Sequence, residues 1–101
     1  MTDRELLEAA ARAAGIAVRE DRGGVLCVVD EAGVLGSAWV PLLDDGDESR
    51  LEAALRLSVR WGHTCVVVGE VKEHYADHAN DRQAARRRAG VRAAAEIGRA
   101  S

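Results

Sequence analysis

The first fifteen residues have the apolar spacing of an amphipathic helix. Five apolar side chains recur on one side at this spacing: Leu6, Leu7, Ala10, Ala13 and Ala14. Thr2 and Glu5 match a capping box, in which each side chain accepts a hydrogen bond from the other residue's backbone N–H. We therefore expect the helix to begin at about residue 3 and to end at Gly15, which can adopt a positive φ.

Three short apolar runs follow, each bounded by turn-forming residues. The runs at 16–18, 25–30 and 34–42 predict three strands of a meander. Gly23 and Gly24 permit the first reversal of the chain. Pro41 ends the third strand, because proline has no N–H to donate to a neighbouring strand.

The second half of the chain predicts a helix, a strand and a last helix. Leu51, Ala54, Leu55 and Ser58 share one stripe, which predicts a helix that runs to Trp61 and ends at Gly62.

Residues 63–69 predict the fourth strand, and its four successive apolar residues indicate that both faces are covered. The segment 81–101 predicts the last helix. Its small residues form a face that can lie close to a sheet: Ala84, Val91, Ala94, Ala95 and Gly98.

The predicted order of elements is αβββαβα, in a single domain that covers residues 1–101. This order favours an α/β (α+β) fold, a three-layer α-β-α sandwich around a mostly antiparallel four-stranded sheet.

Composition narrows the classes of function. The chain has 14 basic and 17 acidic residues and a net charge of −3, which argues against a dominant attraction to nucleic acid or anionic membranes. No apolar run approaches the roughly 20 residues of a membrane helix, and the N-terminus lacks a signal peptide, so we expect a soluble protein of the bacterial cytoplasm. Cys27 and Cys65 lie in valine-rich runs and are expected to be buried, reduced thiols.

No catalytic, phosphate-loop, dinucleotide or Cys-x-x-Cys motif is present in the sequence. We therefore expect no enzyme activity, no cofactor and no metal.

The acidic cluster at residues 44–48 allows two interpretations. With Asp45 as the N-cap of the second helix, Glu48 completes a capping box and Asp47 lies in the first turn, where the helix dipole favours negative charge. Alternatively, Asp44, Asp45 and Asp47 offer hard oxygen ligands around Gly46 for Mg²⁺ or Ca²⁺. The structural interpretation is favoured, since a complete calcium-loop pattern is absent.

Residues 39–47, Trp-Val-Pro-Leu-Leu-Asp-Asp-Gly-Asp, are followed by Arg50-Leu51. This stretch resembles the W-N-P-L-x-D-D-G-D-x-x-R-L signature of the phage ABA sandwich domain, although Val40 replaces the asparagine. The tail RRAGVRAAAEIGRA is similar to the ending of the same family. The resemblance implies an α-β-α sandwich encoded by a phage or prophage, and it implies no activity.

His74 and His78 stand four residues apart, the spacing that places two imidazoles on one face of a helix. Zinc could bridge them, with Asp77 or Asp81 as a third ligand. Solvated polar residues are the favoured interpretation.

The last helix carries six arginines: Arg82, Arg86, Arg87, Arg88, Arg92 and Arg99. Arg88, Arg92, Glu96 and Arg99 are predicted to form one stripe with internal i, i+4 pairing. Arg87 instead begins the apolar face, so we expect it to reach Asp44 or Asp45 and to tie the end of the third strand to the last helix.

Together these patterns predict a phage or prophage accessory protein that acts as a non-catalytic interaction module. Its partner would be a protein of the host or phage, or a second copy in a homodimer. The alternatives are a nucleic-acid-associated protein using the arginine helix, and a metal-dependent enzyme acting on phosphates through Asp44, Asp45 and Asp47. The candidate residues are Trp39, Pro41, Asp44, Asp45, Asp47, Arg50, Arg87, Arg88 and Arg92.

Overall fold

The computed structural model describes residues 2–100. It contains three helices, six strands and a 3-10 turn, in this order: α1 (Asp3–Ala14), β1 (Val18–Glu20), β2 (Leu26–Val29), β3 (Leu35–Ala38), α2 (Asp45–Leu55), β4 (Val59–Trp61), β5 (Cys65–Val68), β6 (Val71–His74), the 3-10 turn (Tyr75–His78) and α3 (Arg82–Ala100).

The strands form two three-stranded antiparallel sheets, β1-β2-β3 and β4-β5-β6. The α+β class is thus confirmed. The single four-stranded sheet and the order αβββαβα are wrong, because β4 and β6 were not recognised. None of the helices within residues 2–100 is long and apolar enough to cross a membrane.

The second helix ends earlier than its apolar stripe predicts. Arg56 adopts a left-handed conformation with φ of 54°, and its N–H bonds back to the carbonyls of Glu52 and Ala53. The chain therefore leaves the helix after Leu55, and residues 59–61 pair with β5 instead. Ser58 matched the helical spacing by coincidence.

The first helix begins and ends as its sequence predicts. The N–H of Glu5 donates to the Thr2 hydroxyl at 3.1 Å, and the Glu5 carboxylate accepts in return from the Thr2 N–H and hydroxyl. Gly15 follows the last turn with φ of 71°. The capping box and the glycine end of this helix are both confirmed.

The helix α3 is the central element, because two of its faces are buried in different cores. Ala85, Ala89 and Ala93 pack against the second sheet with Val66 and Val68. On the other side, α3 packs on α1 and α2. The core there is built from Leu6, Leu26, Trp39, Leu51, Val91, Ala94 and Ala95, of which Leu26 comes from the first sheet. The two cores differ from the predicted sandwich, in which one sheet lies between layers of helices.

The small-residue face of α3 lies on α1 and not on a sheet. Gly98 is buried against the backbone of Ala9 in α1, which requires a residue without a side chain. The predicted close approach of this face is confirmed, but its partner is wrong.

The outer face of the second sheet is partly open to solvent. Val66 and Val68 are fully buried, whereas Cys65 and Val67 are only half-buried. The expectation that both faces of this strand are covered is therefore wrong. Both cysteines are free thiols, and only Cys27 is buried as expected.

Candidate functional site

The acidic cluster begins α2, but its capping residue differs from the prediction. Asp44 is the N-cap, and its carboxylate accepts hydrogen bonds from the N–H of Gly46 at 3.4 Å and of Asp47 at 3.3 Å. Asp45 already belongs to the helix. The prediction of Asp45 as N-cap, with Glu48 completing a capping box, is therefore wrong by one residue.

Asp45 is instead held by the last helix. Arg87 donates from Nη1 to the Asp45 carboxylate at 2.7 Å and from Nε to the Leu42 carbonyl at 3.0 Å. These two bonds join the segment after β3 to α3. The predicted tie through Arg87 is confirmed.

The remaining residues of the Trp39–Arg50 motif also have contacts within the chain. Trp39 is 3% exposed and belongs to the core between α1, α2 and α3, and Pro41 is fully buried. The Asp47 carboxylate accepts from the Val40 N–H at 2.9 Å and pairs with the Arg50 guanidinium. Each part of the motif thus has a role in positioning α2 after β3.

The metal interpretation of the acidic cluster gains no support from this geometry. Asp44 caps the helix, Asp45 pairs with Arg87, and Asp47 holds the Val40 N–H and Arg50. Across residues 2–100, no three or more His, Cys, Asp or Glu side chains are arranged to hold a metal ion.

A buried acidic pair lies between α2 and α3 that sequence reasoning missed. Glu48 is 0% exposed and Glu52 is 8% exposed, although both belong to a helix with many charges. Arg86 donates from Nε and Nη2 to the two carboxylate oxygens of Glu52, at 2.8 and 2.7 Å. Its Nε also lies 3.3 Å from Glu48 Oε1. The signal that could have revealed this pair is the i, i+4 spacing of the two glutamates.

The carboxyl group of Glu48 is surrounded by packed atoms. No donor among the described residues makes a hydrogen bond to either of its oxygens. A Cβ on Gly90 would overlap Glu48 Oε2 and lie 2.7 Å from its Cδ. Gly90 therefore provides the space that the Glu48 side chain fills.

The two glutamates have opposite pKa shifts. Burial, followed by the hydrogen bond and the negative charge of Glu52, raises the pKa of Glu48 from 4.5 to about 9. Burial alone would also raise the pKa of Glu52, but hydrogen bonds from Arg86 and Glu48 lower it overall. At neutral pH the pair therefore holds one proton, which resides on Glu48, and Glu52 is the ionised member.

Two arginines of the predicted α3 stripe pair with carboxylates of other elements and not with residues of α3 itself. Arg88 bonds to Asp3 in α1 at 2.7 Å, and Arg92 pairs with Glu73 in β6. Arg82 lies over the Tyr75 ring, 4.8 Å from its centroid. The predicted i, i+4 pairing within one stripe is wrong for Arg88 and Arg92, because carboxylates from other elements lie within reach.

The two histidines do not share a helical face. His74 ends β6, whereas His78 lies in the 3-10 turn and bonds to the Glu73 carboxylate at 2.7 Å. Burial opposes ionisation of Glu73, but the hydrogen bonds from His78 and Arg92 lower its pKa overall. The zinc interpretation assumed a helix that the structure does not form.

The second sheet presents an exposed tryptophan beside a cleft. Trp61 at the end of β4 is 46% exposed, with its ring 6.5 Å from the Tyr75 ring. A cleft of about 430 Å³ opens next to it on the outer face, lined by Arg60, Cys65, Val67 and Lys72 among others. The register pairs Arg60 with Val67 and Val67 with Lys72, so the two cations flank the valine on one face.

The edge of β4 carries free backbone groups. Gly62 donates to the Cys65 carbonyl and Gly69 donates to the Ser58 carbonyl, each at 2.8 Å. Hydrogen-bonded and non-hydrogen-bonded pairs alternate along antiparallel strands. The N–H and C=O groups of Val59 and Trp61 therefore point away from β5, toward the open edge.

Comparison with known proteins finds no match to this chain among protein-family models, curated proteins or solved structures.

Proposed function

We propose that this protein is a non-catalytic interaction module that binds another protein through the β4 end of its second sheet. The observation that carries this proposal is the exposure of Trp61. The chain has only three aromatic residues, and burying a tryptophan is among the largest apolar contributions a single side chain makes. Leaving nearly half of this ring in solvent favours a surface that a partner covers.

The neighbouring side chains support the same proposal. Tryptophan and arginine are enriched at the energetic centres of protein interfaces, and Arg60 directly precedes Trp61. Within residues 2–100, the side chain of Arg60 has no hydrogen bond or ion pair, whereas Arg86, Arg87, Arg88 and Arg92 are each paired with a carboxylate. Arg60 is therefore available to a partner.

The resemblance to the phage ABA sandwich domain adds a biological setting to the proposal. We propose an accessory protein of a phage or prophage that works in the cytoplasm of the bacterial host. The nucleic-acid alternative is less well supported, because most arginines of α3 already contact groups of the same chain. The metal-dependent enzyme is less well supported, because Asp44, Asp45 and Asp47 stabilise the start of α2.

The test is a pull-down from host lysate with the tagged protein, with and without nuclease, at two salt concentrations. Trp61→Ser should abolish capture of a protein, and Leu43→Ser should retain it, since Leu43 is 79% exposed but distant in sequence from β4. The thermal midpoint of each variant controls for folding. Capture that does not depend on Trp61 would overturn the proposal, and capture of nucleic acid alone, lost with nuclease and salt, would support the α3 alternative.

A further inference from the structure

The two sheets formed by residues 2–100 have four edge strands, and three of these edges are protected. The β1 edge carries Arg19 and Glu20, and Glu20 is bound by Arg4 of α1. The β3 edge has an irregular register against β2, typical of a β-bulge. Charges, bulges and covering groups are the usual means by which proteins block edge pairing.

The β6 edge is also covered. The backbone N–H of Tyr75 donates to the Thr64 carbonyl at 3.0 Å. Because residues with inward and outward backbone groups alternate along the strand, the N–H and C=O of Lys72 point away from β5. The Nη1 group of Arg92 lies over this edge, 3.5 Å from the Lys72 carbonyl oxygen. A strand could add here only by displacing the arginine.

The β4 edge differs, because its register against β5 is regular and its outward backbone groups are free. Val59, Arg60 and Trp61 pair in unbroken sequence with Val68, Val67 and Val66. The outward N–H and C=O groups of Val59 and Trp61 have no partner among the described residues. An extended peptide can add to such an edge as a new strand, because its backbone forms hydrogen bonds with the free N–H and C=O groups.

We infer that the β4 edge binds an extended segment of another protein, with an acidic residue opposite Arg60 and apolar residues opposite Val59 and Trp61. This inference rests on the proposed function and specifies its partner. Val59 and Trp61 lie on the same face as the buried Val66 and Val68. On this face, the side chains of an added strand would lie beside those of Val59 and Trp61, which favours apolar residues there. Arg60 lies on the outer face, where the opposing residue would be close to its guanidinium.

Charge makes a second copy of this chain a poor occupant of the edge. Two β4 strands could pair antiparallel, with Val59 of each copy opposite Trp61 of the other. In this arrangement the two Arg60 side chains would lie directly opposite one another. Like charges directly opposite one another in a sheet are destabilising. Lys72 adds a further positive charge on the same face, about 10 Å away across two strand spacings. A carboxylate-bearing strand removes this repulsion.

The experiment uses two capped octapeptides as probes, one alternating valine with glutamate and one alternating valine with lysine. Amide exchange is followed by NMR in the whole protein. The valine–glutamate peptide should slow exchange at Val59 and Trp61 and leave Arg60, whose N–H faces β5, much less affected. Arg60→Glu should reverse the preference between the peptides. Its affinity for the valine–glutamate peptide should fall by about fivefold and its affinity for the valine–lysine peptide should rise by about fivefold, because attraction is replaced with repulsion and the reverse.

Lys72→Glu is the matched control, because it reverses the same charge on the same face of the sheet but lies on β6, two strand spacings from the β4 edge. It should change the preference less than Arg60→Glu does. Equal binding of both peptides, or no slowing at Val59 and Trp61 at the solubility limit, would overturn the inference. Protection of these amides without peptide that grows with protein concentration would assign the edge to a second copy instead, and protection by oligothymidylate would assign it to nucleic acid.

These outcomes separate the inference from the proposed function. If both peptides fail while Trp61-dependent capture of a protein persists, strand addition is wrong and the interaction module stands. If capture itself does not depend on Trp61, the proposed function fails.

Discussion

Gly98 of α3 lies directly against the backbone of Ala9 in α1. A Cβ on Gly98 would overlap the Ala9 carbonyl oxygen and lie 2.8 Å from its carbonyl carbon. The contact is with backbone, which cannot rotate away as a side chain can. The distance between the two helices is therefore set by the absence of a side chain at this position.

Gly98→Ala should destabilise the protein in spite of the higher helix propensity of alanine. Alanine at an exposed helical site gains up to about 1 kcal/mol over glycine, but overpacking of a core costs about 1–3 kcal/mol. Here α1 and α3 would have to separate, so we expect a net loss. Chemical denaturation measures it through the free energy of unfolding.

Gly46→Ala is the matched control, because Gly46 also lies in a helix. A Cβ there would make only ordinary contacts with two side chains, the Arg50 guanidinium at 3.5 Å and the Asp44 carboxylate at 3.6 Å. This variant should be neutral or slightly stabilising. Equal effects of the two substitutions would contradict the close approach of α1 and α3.

Asp44 and Asp45 are adjacent, yet their removal should have different costs. Asp44→Ala removes the N-cap of α2 and should cost about 0.5–2 kcal/mol. Asp45→Ala removes only an exposed ion pair with Arg87 and should cost about 0–1 kcal/mol. Thermal unfolding of both variants in the same buffer compares them, and a larger loss for Asp45→Ala would place the cap one residue later.

Added salt distinguishes the two contributions further. Raising the salt concentration should reduce the small effect of Asp45→Ala, because exposed ion pairs are screened. It should leave most of the Asp44→Ala effect, since the cap is a hydrogen bond to backbone amides.

The local features of this fold were more predictable than its layers. The capping box joins Thr2 and Glu5, which are three residues apart in the sequence. Gly15, which ends α1, bonds to carbonyls three and four residues before it. Both features are therefore visible in the sequence. The Arg87 tie was predictable because Arg87 began an apolar face where a free cation is costly. These predictions needed only one element and its nearest neighbours.

The apolar stripe of α2 misled because this helix buries acids. Its buried positions are Asp47, Glu48, Leu51 and Glu52, while the apolar Ala54 is exposed. A hydrophobic pattern counts glutamate as a surface residue, and only the partner Arg86, 34 residues away from Glu52, makes its burial favourable. The short strands β4 and β6 were missed for a related reason, since each carries charges that only sheet pairing explains.

Arg86→Ala should be strongly destabilising, because it leaves the Glu52 carboxylate buried without its donor. Removing one member of a buried ion pair costs about 3–5 kcal/mol, and the partial exposure of Arg86 places the expected loss near the lower end. Adding Glu52→Gln in the same chain removes the uncompensated charge. The double variant should therefore recover part of the lost stability, and a double variant no more stable than Arg86→Ala would show that packing, not charge, sets the cost.

Glu48→Gln should raise stability at alkaline pH and flatten its pH dependence. The folded protein holds a proton on Glu48 up to a pKa of about 9, whereas the unfolded chain releases it near 4.5. The folded state therefore binds one more proton between these values, and the free energy of unfolding falls by up to about 1.4 kcal/mol per pH unit as pH rises. Below 4.5 the contribution of Glu48 is fully present, and above about 9 it is lost.

A glutamine at this position is neutral at every pH, whereas Glu48 is neutral only while it holds its proton. Unfolding free energies measured from pH 5 to pH 9 should therefore fall steeply for the natural chain and much less for Glu48→Gln. Glu52 and Glu73 act in the opposite direction, because their lowered pKa values give stability that is lost as pH falls below the ordinary carboxyl range. Parallel curves for the two proteins between pH 5 and pH 9 would mean that Glu48 is ionised in the folded state, and that Arg86 neutralises both glutamates at once.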